Sequence, residues 1–423
     1  MKDGRRGTIT RQLLLDYFLE GALPRSQWRV GMEIERMGRT ALGGRPLPYE
    51  GDGPSVRRVL EHLWEQRGGR PVWEADHLIG LDADWGAISL EPGGQVEWSS
   101  RPEPTLDVLG TRLAEHESAM QAAARDLGVR WLDVAVEPEL AVDEMFWMPK
   151  ARYKIMRSFL GARGRLSHRM MTQTTSIQAA FDYSDPEDWK RKFVAAASLT
   201  PLAAALFANS SRVDGAATSW RSYRQAIWRE TDPARCGIPP IVFDPGFDIA
   251  CWLDYVLDMP AIFRHRSRGL VPAGDVRFRE LLSLTGCDAI RSEDWEIHAS
   301  TVFTQVRSYT YIEVRSADLL PPDEALAVPA LWTGLLYQDE ALAEALEIGA
   351  SFADAATWEA AMEVAARLGL DGSVRGIALR DLAGRAVSVA IRSLRHGATC
   401  AGQPDTAIAA LERLAVRSSL TLR

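Results

Sequence analysis

The segment WRVGMEIER, residues 28–36, decides the fold class. Val30, Met32 and Ile34 alternate with Gly31, Glu33 and Glu35, the period of a strand with one dry face and one polar face. Glu33 and Glu35 then share a face about 7 Å apart. Two acids side by side repel, so that face needs solvent, arginines or cations. The segment ISLEPGGQVEWSS, residues 88–100, repeats the theme as a hairpin around Pro92-Gly93-Gly94. Gln95 and Glu97 take one face, Val96 and Trp98 the other, and Glu91 stands just ahead of the turn within reach of the same region. A third acid-bearing stretch, TVFTQVRSYTYIEVRS at 301–316, is β-branched and aromatic and reads as one or two strands. In it Tyr309, Tyr311, Glu313 and Arg315 alternate with Thr310, Ile312 and Val314.

Outward from these strands the pattern turns helical. Residues 9–20, 55–66, 105–127 and 149–160 carry helical spacing, and 129–136 reads as a strand. A strand is expected over 171–182, leading into a helix that starts near the capping Asp185-Pro186 and runs to about 208. Residues 215–300 read as helices between Pro/Gly loops, and nearly everything from 323 onward as helix. The expected architecture is α+β: a largely antiparallel sheet, helices outside it and a helical C-terminal third. No repeat or low-complexity linker breaks the chain, so 1–423 reads as a single catalytic unit with a helical part at 321–423.

The composition suits a soluble globular protein: 423 residues, 46% hydrophobic and 25% charged. No apolar run approaches the roughly 20 residues of a membrane span. The first residues, MKDGRRGTITRQLLLDYFLEGALP, lack the apolar core of a secretory signal. The cysteines at 236, 251, 287 and 400 form no CxxC pair. Together these readings point to reduced thiols and a cytosolic location. A net charge of −8 offers no positive field for nucleic acid. Lysine occurs only at 2, 150, 154, 190 and 192, none of them after a glycine, which excludes a P-loop. A nucleotide bound by the second half of the chain must be held by arginines and metal ions.

Oxygen-rich clusters suit hard cations such as Mg²⁺, which keeps some waters and bridges to phosphate oxygens. The few histidines have no ligand-like spacing, which argues against zinc. The same acids also fit the solvated faces of ordinary half-exposed strands. Spacing alone does not bring the three strands together.

At these residues the sequence resembles the plant-type glutamate–cysteine ligases, within the glutamine-synthetase-like carboxylate–amine ligases. The matching pieces are Val30-Gly31-Met32-Glu33-Ile34-Glu35, Leu90-Glu91-Pro92-Gly93-Gly94-Gln95-Val96-Glu97 and Tyr153-Lys154-Ile155-Met156. They continue with Met170-Met171 through Gln178 and Asp182, then Phe207-Ala208-Asn209-Ser210. Thr231-Asp232-Pro233 with Arg235 and Gly237 follows, and Tyr311-Ile312-Glu313-Val314-Arg315 closes the set. They span about residues 28–320 in family order. The resemblance implies a sheet bent into a funnel and an ATP-dependent reaction through a γ-glutamyl phosphate to γ-glutamylcysteine, the first step towards glutathione or a related thiol. It implies Mg²⁺ or Mn²⁺ held by Glu33, Glu35, Glu91, Glu97 and Glu313, with Gln178 near metal or substrate. Arg315, with Gln95, would serve the nucleotide, Arg315 facing phosphate oxygens through a planar fork. Arg235 would pair a substrate carboxylate.

Bland readings stand beside these roles. Arg315 also fits a structural ion pair with Glu313, Arg235 a surface residue and Gln178 a core amide. His168 and His298 read as structural or exposed, and Cys236 as a packing residue. The strand at 171–182 departs from the family pattern: Gln173-Thr174 stands for an arginine–threonine step and Ala180 for an asparagine. Trp98-Ser99-Ser100 stands where the family has Leu-Ser-Gly. These departures on a substrate-facing strand bear on what the site recognises, and a relative joining a similar acid to a different amine is the alternative within the same chemistry. Phosphotransfer to a guanidino group and a catalytically dead binding protein are the readings from other classes; no motif supports the first, and five intact acids oppose the second. The partners expected are small molecules only, with no nucleic acid and no membrane.

Overall fold

A computed structural model describes residues 9–267 and 269–422, without the side chain of Cys287. Residues 1–8, including Lys2 and the start of the non-secretory segment, lie outside the described residues. Among the described residues the main sheet has nine strands. They are β1 (Val30–Thr40), β2 (Arg70–Glu74), β3 (His77–Ala83), β4 (Gly86–Leu90), β5 (Val96–Ser99), β6 (Val129–Leu132), β7 (Ser176–Phe181), β8 (Val306–Ser308) and β9 (Ile312–Asp318). The spatial order is β8-β9-β7-β1-β5-β4-β3-β2, with β6 paired to the far end of β1. Every pairing in it is antiparallel.

The alternation at 30–35 does what its period requires. Val30, Met32 and Ile34 are buried, as are Trp98 on β5, Ile177 and Ala179 on β7 and Val314 on β9. This dry face is covered by the helix Ala327–Leu336, which packs on β7 and β1, and by Pro186–Leu206, which packs on β9. Each large apolar side chain so covered contributes about 1.5–3 kcal/mol. The buried apolar residues form one main cluster running from Ile9 to Ala415.

The β4–β5 turn shows why Pro92-Gly93-Gly94 is needed. Gly94 has φ 88°, a left-handed conformation that favours glycine. At Gly93 a Cβ would stand 2.3 Å from the carbonyl oxygen of Thr172, so only glycine lets the turn lie on that backbone.

Two local expectations are corrected. The strand expected over 171–182 is a short helix, Ser167–Gln173, followed by β7. Its buried residues, Ser167, Met170, Met171, Thr172 and Gln173, are mostly polar, so the sequence SHRMMTQ shows no apolar stripe of helical period to reveal it. In the 301–316 stretch, Tyr309 and Tyr311 belong to the turn between β8 and β9 rather than to a strand interior. The helices expected over 9–20, 55–66, 105–127, 149–160 and 185–208 appear as Arg11–Leu19, Val56–Arg67, Leu106–Leu127, Ala151–Gly161 and Pro186–Leu206. No helix among the described residues is long and apolar enough to cross a membrane.

Candidate active site

Register, which sequence spacing does not supply, assembles the polar face. Glu33 stands opposite Gln178 on β7 and Ser99 on β5. Glu35 stands opposite Glu97, which stands opposite Ser89 on β4. One step the other way, Gly31 faces Ala180, which faces Glu313, which faces Arg307 on β8. Three acid-bearing strands, far apart in sequence, therefore present Glu33, Glu35, Glu97 and Glu313 on one face.

The acids on β1 and β5 have few internal partners. Glu33 accepts from Ser99 Oγ at 3.4 Å, and Glu97 from Ser89 Oγ at 2.9 Å. Glu35 accepts from Ser176 Oγ at 3.2 Å and Gln178 Nε2 at 3.3 Å. Burial, with the charges of Glu97 and Glu313 added, drives the Glu33 carboxyl well above its ordinary range. Burial and then Glu91 push Glu35 up to about 7. Burial, Glu91 and Glu35 push Glu97 up to about 8. Glu91 thus acts electrostatically on both neighbours from its place ahead of the turn.

Glu313 is the opposite case. Burial alone would raise it, but Arg307 and Arg315 outweigh burial and hold it below the usual carboxylate range. Arg307 grips it with Nε and, at 3.1 Å, with Nη2. Arg315 Nη1 donates to Glu313 Oε1 at 3.0 Å and also to Gln178 Oε1. Arg315 sits where the β7–β9 register shifts between Val314 and Ala317, a bulge that re-aims its side chain. Arg307 was missed by sequence reasoning, although its odd-numbered parity with Glu313 and Arg315 was a usable signal once a hairpin is allowed.

Two expected site residues are elsewhere. Arg235 is fully buried, with Nε on Asp232 at 2.7 Å, Nη1 on the carbonyl and hydroxyl of Thr301 at 3.1 and 3.0 Å, and Nη2 on the Pro260 carbonyl at 2.7 Å. With its donors so committed it ties loops together, where the expectation set it against a substrate carboxylate. Gln95 is buried beneath the turn, accepting from Gly93 N–H at 2.9 Å and donating to the carbonyls of Met171 (3.3 Å) and Thr174 (2.9 Å). It clamps the turn onto the Ser167–Gln173 helix and leaves no group for a nucleotide. Lys150, by contrast, lies near Glu91 and Glu97, and burial lowers its ammonium below the ordinary range against the pull of Glu91. Its Nζ donates to the Leu90 carbonyl at 3.1 Å.

At the Ala180 end the face opens into a recess of about 190 Å³, lined by Arg29, Gly31, Glu33, Ala180, Tyr311 and Glu313 among others. A larger recess of about 650 Å³ lies beside Cys236, Tyr223 and Trp220. Its arginines are already paired, Arg229 with Glu359 at 2.7 Å and Arg165 with Glu230 at 3.6 Å. It carries none of the sheet's acids, so the chemistry is assigned to the sheet face. Desolvation pushes the Cys236 thiol of that recess up to about 12.

Comparison with known proteins agrees with this geometry. The glutamate–cysteine ligase family 2 (GCS2) matches residues 29–418. The chain belongs to that family. Its relatives include the chloroplastic glutamate–cysteine ligase of Brassica juncea, 35% identical over 352 residues, covering 82% of this chain and 68% of the relative. That of Medicago truncatula is 35% identical over 349 residues, covering 81% and 68%. Family membership makes the chain an ATP-dependent ligase. A solved glutamate–cysteine ligase from Francisella tularensis in complex with AMP has the same fold, with a TM-score of 0.53 at 14% identity over 93% of this chain and 82% of that one. The cytosolic expectation is corrected by these relatives, which are named chloroplastic. It rested on scattered cysteines and a missing apolar signal core, and a plastid-directing segment has no apolar core either.

Proposed function

We propose that this chain joins the γ-carboxylate of glutamate to the amine of cysteine at the expense of ATP. The observation that carries the reading is the under-compensated row Glu33, Glu35 and Glu97, on the same face as Gln178 and Arg315, in a member of this ligase family. A glutamate γ-carboxylate oxygen attacks the γ-phosphorus of ATP, and the bond to the bridging oxygen breaks to release ADP. The resulting acyl phosphate gives the carbonyl carbon a leaving group. The cysteine amine then forms the C–N bond as the C–O bond to phosphate breaks, and the ammonium proton is lost.

The donor set fits Mg²⁺ or Mn²⁺. Hard oxygen ligands stand in a row whose repulsion and burial are offset only in part by Arg224, Arg307, Arg315 and Lys150. Among the described residues no three acidic, histidine or cysteine side chains converge on one metal-sized centre. That layout suits a cation that keeps waters and takes phosphate oxygens. Glu33, Glu35 and Glu97 would hold it, with Glu91 adding charge; when bound, it neutralises phosphate charge. Arg315 is fixed by Gln178 and Glu313 through Nη1, which leaves the rest of its fork to face phosphate oxygens.

Incubation with ATP, Mg²⁺, glutamate and each amino acid in turn tests the reading. Phosphate release and γ-glutamylcysteine are expected with cysteine, and neither with EDTA present. ADP with a phosphorylated guanidine and no free phosphate would indicate a kinase instead, and no turnover at all would indicate a binding protein.

A further inference from the structure

The recess beside Ala180 has one end that the acid row does not explain. Residue 29 continues the parity of Gly31 and Glu33, and Asp182 that of Gln178 and Ala180, so both extend the polar face beyond its strands. Their backbones are locked together. The Arg29 N–H donates to Asp182 Oδ2 at 2.6 Å, the Asp182 N–H to Tyr337 Oη at 2.6 Å, and Tyr337 Oη to the Arg29 carbonyl at 2.6 Å. The half-buried Arg29 side chain lines the recess. Among the described residues its guanidinium makes one hydrogen bond, from Nη1 to the Trp28 carbonyl at 3.0 Å.

That sets it apart from the other arginines near this face. Arg307 and Arg315 are paired with Glu313, and Arg224 lies 3.8 Å from Asp318. The Arg29 guanidinium has no carboxylate oxygen within 4 Å among the described residues; the Asp182 carboxylate, bonded to the Arg29 backbone, acts on it only through its charge. Between Arg29 and the acids Glu33 and Glu313 the floor is Gly31 and Ala180, whose small side chains leave the hollow open; even a Cβ on Gly31 would meet Ala180 Cβ only at 3.5 Å. Successive rows on this face are about 7 Å apart. An amino acid lying over the Gly31–Ala180 row therefore reaches Arg29 with one end and the acid row with the other.

We propose that Arg29 receives the α-carboxylate of an amino-acid substrate, held over the Gly31–Ala180 hollow with its reacting end towards Glu33. This rests on the ligase reading above and names the residue that orients a substrate for it. Both the acid and the amine substrate carry an α-carboxylate, so the test has an arm for each.

Arg29→Gln and Arg29→Lys are assayed for phosphate release with ATP, Mg²⁺, L-glutamate and L-cysteine, with thermal unfolding as the check on folding. Arg29→Gln should raise KM for one amino acid about 10- to 100-fold, with kcat and the KM for ATP little changed. Arg29→Lys keeps the charge without the fork and should shift the same KM by less. The penalty should vanish when that substrate is replaced by its analogue without an α-carboxylate. If cysteamine removes it, Arg29 serves the amine substrate; if 4-aminobutanoate removes it, Arg29 serves the acid. Unchanged KM values in both variants, or equal penalties with and without the α-carboxylate, would overturn the proposal. Failure of the unsubstituted enzyme to release phosphate would instead overturn the ligase reading, and this proposal with it.

Discussion

Glu313 and Glu97 are the same side chain on the same face of one sheet, and their surroundings drive them in opposite directions. Glu313 lies between Arg307 and Arg315 and is held ionised; Glu97 lies among Glu91 and Glu35 and is pushed up to about 8. The β8–β9 side is thus balanced by the protein's own guanidinium groups, whereas the β1–β5 side is left short of positive charge. A self-repelling row is destabilising unless something arrives to balance it. The balanced side reads as scaffold for the Arg315 fork, and the unbalanced side as the place where a cation is required.

Removing charge should separate the two sides most sharply in stability. Glu313→Gln leaves two buried guanidiniums without their carboxylate and should destabilise the fold by about 3–5 kcal/mol. Glu97→Gln relieves repulsion and should leave the metal-free fold as stable or more so. Denaturant unfolding of both variants checks this, and equal losses would erase the distinction. In turnover, Glu97→Gln should lower kcat by at least about 100-fold, equivalent to about 2.7 kcal/mol. Unaltered turnover would take Glu97 out of the reaction.

The pH dependence sharpens the comparison further. Glu35 and Glu97, at about 7 and about 8 in the fold, sit above the roughly 4.3 of an unfolded glutamate. Between those limits the native state holds protons that the unfolded chain has released. Their stability contribution is complete below about pH 4 and is lost as pH rises through 7 to 8. A divalent cation should replace that contribution, so added Mg²⁺ should raise Tm more at about pH 8.5 than at about pH 6. Equal shifts at both pH values would dissociate the row from metal binding. The smallest effect is expected at Ala180, which faces both Gly31 and Glu313. Ala180→Asn fills part of the hollow and should change the KM of an amino-acid substrate by a few fold, about 1 kcal/mol. No change in steady-state kinetics would mean that the substrate passes it by.

The alternation at 28–36 and the 88–100 hairpin determined, without any structure, an antiparallel sheet with one acid-bearing face, because a strand's period of two separates its faces unconditionally. The ordered motifs determined the family, because they match pieces spread along most of the chain. Helical spacing likewise located the amphipathic helices, and it failed at Ser167–Gln173, whose mostly polar buried residues leave no apolar period to read. What sequence could not decide was partnership. Arg235 and Arg315 are both arginines at motif positions, yet one spends its donors on Asp232, Thr301 and Pro260, and the other is aimed by a bulge beside Gln178. Gln95 and Gln178 are both buried yet differ in the same way, one bonded only to backbone under its turn and the other shared between the side chains of Glu35 and Arg315 on the polar face. Whether an acid is neutralised, a guanidinium spent or an amide buried depends on which strands pair and in what register. The decisive pairings, β7 with β1 and with β9, join residues more than a hundred positions apart, so only the tertiary structure decides them.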